Sequence, residues 1–231
     1  MTAADLHRPA PESLPSPAAG TRRDRVAAGW RLARLYLVSR RVPMALALLA
    51  ALGALLWAAL HWHWNIAGGA AAEQFIPLTI ETGAAAVIAV STYGPFGEAE
   101  RAAGRWLPWL RLGTAVALIA VAFGLLAAGA AAGGMPGGAL ALLRNLGGMA
   151  GIGLAAAVVL GGPFGWIGPM AFLLLTEGAL AHRSTTPWVW PTRPPYDRGG
   201  AICAALVIAA ALLLITVRGP RESTRDTGPA T

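Results

Sequence analysis

Residues 43–60 read PMALALLAALGALLWAAL. The run holds no charge, and its one polar side-chain group is the indole N–H of Trp57. As a helix it rises about 27 Å, close to the roughly 30 Å hydrocarbon core of a bilayer. No face is left for water, so the run reads as a membrane span and not as a helix of a soluble core. The whole chain agrees. Of its 231 residues, 56% are hydrophobic and 13% charged, about half the charge of a soluble domain, and the mean hydropathy is +0.56.

Five more apolar runs follow, at about 75–92, 112–132, 145–161, 166–181 and 200–217. The fourth and fifth are short and are joined by GGPFG, residues 161–165. As one helix they would extend about 55 Å, far beyond the bilayer core, so the Gly-Gly-Pro turn predicts two spans. The expected fold is an all-α integral membrane protein with six transmembrane helices, the transmembrane domain covering 23–217. Arg placement orients it. Eight Arg precede the first span, three lie between spans two and three, and three follow span six. The opposite segments hold four: Arg144, Arg183, Arg193 and Arg198. Both termini are therefore expected in the cytoplasm, with the protein multi-pass in the cell membrane.

Residues 1–22 and 218–231 are rich in Pro, Ser, Thr and charge and are expected to be disordered cytoplasmic tails. Residues 23–41, RDRVAAGWRLARLYLVSRR, interleave Arg with Trp30, Leu32, Leu35 and Tyr36. That pattern predicts an amphipathic helix on an anionic lipid surface.

Every one of the 18 basic residues is Arg. Without Lys there is no P-loop and no Schiff base, so any ATP hydrolysis belongs to a partner chain. The single Cys203 allows no internal disulfide and no thiolate cluster. His61 and His63 in HWHW, two apart, diverge on a helix and share no metal; Trp62 and Trp64 beside them read as interfacial anchors. No HExxH, GxSxG or other catalytic constellation is present. The expectation is a non-enzyme with no catalytic residue, no metal site, no cofactor in this chain and no nucleic-acid partner.

Charge inside the spans is more informative. Glu81 in IPLTIETGAAAV and Glu177 in LLLTEGALAH each lie in the outer half of an apolar run. Arg144 stands at the outer start of the fourth. An acid at a helix centre costs about 2.5–3.5 kcal/mol on insertion scales, and such residues face a bundle interior or a pathway. Two readings stay open: a Glu–Arg pair locking the bundle, or a substrate or proton site. Residues 184–197, STTPWVWPTRPPYD, contain four Pro and cannot form a regular helix. With Trp188 and Trp190 they read as an outer interfacial loop or a re-entrant piece capping a pathway.

Residues 94–106, GPFGEAERAAGRW, carry Glu98, Glu100, Arg101 and Arg105 between two apolar runs. On a helix Glu98 and Arg101 are neighbours while Glu100 points elsewhere, and Phe96 and Trp106 are apolar anchors at its ends. A mixed-sign helix suits a surface that must be found and held in register by a partner. This E-x-E-R patch after the second span, the Arg-rich helix at 23–41, six spans and WVWP at 188–191 together resemble ABC-2-type exporter permeases, over residues 25–217. The resemblance implies a permease subunit powered by a separate ATPase that docks on 94–106 through Phe96, Glu98, Glu100, Arg101, Arg105 and Trp106. It also implies a dimer with itself or a sister permease, moving a substrate out of the cell or the bilayer. The alternative expectation is a membrane scaffold or assembly factor without transport.

Overall fold

The computed structural model describes residues 42–62, 70–92, 107–135, 138–182 and 186–218. The tails, the basic segment 23–41 and the loop 94–106 with its six named residues lie outside these, Arg218 excepted. The described residues form helices joined by turns and one irregular segment, without a strand. Six helices follow in order: α1 (Val42–His61), α2 (Ala70–Ser91), α3 (Leu107–Gly133), α4 (Gly138–Leu160), α5 (Ile167–Ala181) and α6 (Arg198–Val217). Four stretches are long and apolar enough to cross a membrane: α1, residues 111–133 of α3, α4 and α6. In α2 the apolar stretch is Phe75–Ser91, and α5 has 15 residues. By its described residues the chain is a helical, membrane-embedded protein.

Successive helices run in opposite directions. Gly133, ending α3, packs on Leu60 near the end of α1. Leu180, Ala141 and Pro77 meet at that same type of end, around one cavity. At the other end Gly165 packs on Ala89 and Gly153. The turn there is built by its residues. Gly161 takes φ 103° and Pro163 opens a 3-10 turn, Gly162–Phe164. The positive φ is open to glycine and rare for other residues, so α4 stops and α5 begins.

Packing follows the small side chains. In α1 the buried positions are Val42, Ala45, Leu49, Gly53, Leu56 and Ala59, one stripe at spacings of three and four. Leu46, Leu48, Leu55 and Trp57 are exposed. Without a hydrophobic drive between helices in lipid, close backbone approach takes over. A Cβ on Gly129 of α3 would stand 2.5 Å from the Gly53 carbonyl oxygen of α1. Glycine at this crossing lets the two backbones touch. The most enclosed helix is α4, which packs against α2, α3, α5 and α6.

Three expected boundaries move. α2 begins at Ala70, five residues before the expected 75, which places Glu81 at the middle of a 22-residue helix. α3 begins at Leu107 in place of 112. α4 begins at Gly138 in place of 145, so Arg144 lies six residues inside the helix and not at its start. α2 extends through small and polar residues, AAAEQ, that an apolar-run criterion discards, whereas α3 and α4 extend through apolar turns, LPWLR and GALALLR, each closed off from the run by an Arg.

Candidate functional site

Glu81, on α2, is completely buried. Pro77, one turn earlier, interrupts the helix's own hydrogen-bond ladder. Neither carboxylate oxygen of Glu81 has a hydrogen-bond partner. Thr82 beside it is equally buried but satisfied, donating to the Leu78 carbonyl at 2.7 Å and meeting Met149 Sδ at 3.1 Å. Leaving a buried polar group unpaired costs about 1–3 kcal/mol, and more when it is charged. Glu81 is thus the one fully buried acid among the described residues; the residue is part of the wall of a cavity of about 60 Å³, with both carboxylate oxygens closed off from its free space. About 10–15 Å³ suffices for one water.

Arg144 and Asn145, consecutive on α4, line the same cavity. Both are buried, at 7% exposure. The guanidinium is turned to backbone: Nη1 donates to the Pro194 carbonyl at 2.7 Å and Nη2 to the Arg193 carbonyl at 3.0 Å. Nε donates to Asn145 Oδ1 at 3.3 Å. Glu81 feels this charge through space, and the Asn145 amide approaches it without reaching hydrogen-bond geometry. The Glu–Arg pair considered from sequence is therefore not a contact pair. The two charges share a chamber and are held apart, because loop carbonyls fix the guanidinium.

Those carbonyls belong to residues 186–197, which form a strap across the α5 and α6 ends of the bundle. Four Pro leave it one 3-10 turn, Trp190–Thr192. Trp190 is the anchor: it is 2% exposed, stacks on Phe172 with centroids 4.5 Å apart, and lies so close to Gly148 of α4 that any side chain there would overlap the indole. Its Nε1–H is buried without a partner. Trp188, two residues earlier, is half exposed. The two Trp residues, equivalent in sequence, have different jobs. At the far end of the strap Arg193 Nη2 bonds Asp197 Oδ1 at 2.8 Å. Asp197 Oδ2 accepts from the Gly200 N–H at 2.7 Å, capping α6. The Arg193 hydrogen bond, followed by that of Gly200, holds the Asp197 carboxyl below its ordinary value, and the same contact raises Arg193.

Glu177, on α5, is half-buried with Oε1 enclosed and unpartnered, but it does not line the cavity. Leu180, one turn on, does. Asn145 was not singled out from sequence, although an amide beside Arg144 inside an apolar run was a visible signal. The carbonyls of residues 193 and 194 carry no side-chain signal at all. No group of His, Cys, Asp and Glu able to hold a metal occurs among the described residues. Comparison with family models, with curated proteins and with solved structures finds no match.

Proposed function

We propose that the chain is the six-span permease subunit of an ATP-driven exporter of the ABC-2 type. A separate ATPase would dock on residues 94–106, and the chain would pair with itself or a sister permease. The observation that carries this reading is the position of Glu81. A buried ionisable group in a membrane helix marks a functional path by default, and here it has no hydrogen-bonded counter-ion and belongs to the wall of a chamber. The same helix, α2, ends at Ser91, so the proposed docking loop continues directly from it. Ten residues, about 15 Å of helix, separate the acid from that end. A push on the loop reaches the chamber wall through one rigid rod. α2 packs against α1, α4 and α5, so its displacement would also move the Arg144 side of the chamber.

Two measurements test this. Phe96→Ala, and Glu98→Arg combined with Glu100→Arg, leave insertion intact and weaken capture of the ATPase. Loss of a buried anchor in an interface costs about 2 kcal/mol or more, whereas rim charges act mainly on association rate. A detergent pull-down of the wild-type chain that recovers no ATPase, with the candidate expressed at near-equal levels, would overturn the transport reading in favour of a scaffold. Topology is checked by reporter fusions: those after Arg111 and Thr231 report cytoplasm, those near Gly68 and Pro194 the opposite side. A C-terminus on the far side would remove the six-span count.

A further inference from the structure

We propose that Glu81 is an occluded proton-binding site: its carboxyl carries a proton while α2 lies closed on α4, and gives it up when α2 bends away. This rests on the permease reading for its role and deepens it by naming the proton as the ion that α2 takes up and releases as it moves.

Two independent observations carry the inference. The first is the surroundings of the carboxyl. Glu81 is wholly buried, and both its oxygens are closed to water and without a donor. A carboxylate only accepts hydrogen bonds, whereas the neutral acid has an O–H to give and no charge to solvate. A buried charge persists when it is paired and hydrogen-bonded; otherwise the group neutralises. The charged side chains on the neighbouring elements do not supply that pairing. On α4, Arg144 belongs to the same cavity wall, but its guanidinium is bonded to the carbonyls of Arg193 and Pro194 and to Asn145. On the strap, Arg193 is bonded to Asp197. On α5, Glu177 does not line the cavity. α1 and α3 carry only His61 and Arg111, each near a helix end. Attraction through space without a hydrogen bond does not repay the desolvation of a carboxylate. The closed arrangement therefore holds the neutral acid.

The second observation is the helix that carries it. Pro77 has no N–H for the ladder. Thr79 and Thr82 turn their hydroxyls back onto the carbonyls of Phe75 and Leu78, at 2.8 and 2.7 Å. Each of these features weakens or bends a helix, and all three lie within one turn of Glu81. The seam with α4 is smooth. Thr82 meets the unbranched Met149, and Ala85 and Ala89 lie against Gly153. α2 is thus softest where it carries the acid. A bend there breaks the seal over the carboxyl without unfolding the helix. In contact with water a glutamic acid ionises at neutral pH. Opening then releases a proton and closure takes one up, so closure is favoured as pH falls and opening as pH rises.

The test is the infrared C=O stretch of protonated carboxylic acids, which stands clear of the amide bands. It is read on the purified full chain in nanodiscs at neutral pH. No ATPase is required, so the result is separable from the docking test above. The wild type shows a band of one carboxyl per chain. Glu81→Gln, which keeps the shape of the neutral acid, removes it, and Glu177→Gln retains it. On transfer to D2O the wild-type band shifts more slowly than mixing, because the proton is sealed. Pro77→Ala restores the ladder and slows that shift by about ten-fold or more. Absence of the band from the wild type would mean that Glu81 is ionised, and would overturn the proposal in favour of a Glu–Arg pair. A band that survives in Glu81→Gln would overturn it too. A wild-type shift complete within the mixing time would overturn the occlusion, a reading that stands even where a variant fails to fold. An unchanged rate in Pro77→Ala would overturn the bend of α2 as the route of release.

Discussion

Replacing Trp190 by Ala tests the strap most directly. The indole is 2% exposed, stacked on Phe172 and seated on Gly148. Truncating a buried Phe or Trp to Ala costs about 3–5 kcal/mol. One contribution opposes this. Trp190 Nε1–H is buried and unpartnered, a penalty of about 1–3 kcal/mol that leaves with the ring. The expected net loss, taking the middle of each range, is about 2 kcal/mol. Trp190→Phe keeps a stacked ring and also removes the orphan donor, so it stays within about 1 kcal/mol of wild type. Gly148→Ala destabilises the wild type because its methyl overlaps the indole, and is nearly silent in the Trp190→Ala background. A double-mutant cycle therefore gives a large coupling. The assay is equilibrium unfolding in mixed micelles, followed by far-ultraviolet circular dichroism. Equal losses for Trp190→Phe and Trp190→Ala would refute the reasoning, since they would mean that the indole N–H is bonded. A Trp190→Ala loss below about 0.5 kcal/mol would mean that the strap is not anchored there.

Two further outcomes follow from local geometry. Gly129→Val, which drives a side chain into the Gly53 carbonyl, costs about 1–3 kcal/mol, while Gly113→Ala, with nothing within 4 Å, is neutral or slightly stabilising in the same unfolding assay. Asp197 has its carboxyl held down, so its stabilisation of the strap is complete above the ordinary aspartate value of about 3.9 and disappears as pH falls through the lowered one. Protection of the Gly200 amide, its exchange divided into the intrinsic rate at each pH, should accordingly be flat from neutral pH to about pH 4.5 and fall only below the ordinary value. Asp197→Asn keeps the cap and abolishes this pH dependence; a loss of protection already at pH 6 would contradict the assignment.

The apolar runs of this chain are helices because their composition leaves the backbone no other solvent-free solution, and that much follows from the order of residues alone. The break at Gly161 is equally local: a Gly-Gly-Pro sequence imposes it. The acid at position 81 was visible because it is out of place among apolar neighbours. What faces what was not visible. In α1 Leu49 and Leu56 are buried while Leu48 and Leu55 meet the surroundings, and a helix that is apolar all round carries no hydrophobic contrast to tell them apart. The selector is steric: Gly53 and Gly129 bring α1 and α3 together, and the stripe follows. Trp188 and Trp190 divide for the same reason, since only the latter finds a glycine and a Phe ring to lie against. Arg144 and Glu81 suggested a pair by charge. The tertiary structure instead gave the guanidinium to two carbonyls about fifty residues away, acceptors that every residue possesses, and the space between the charges became a chamber.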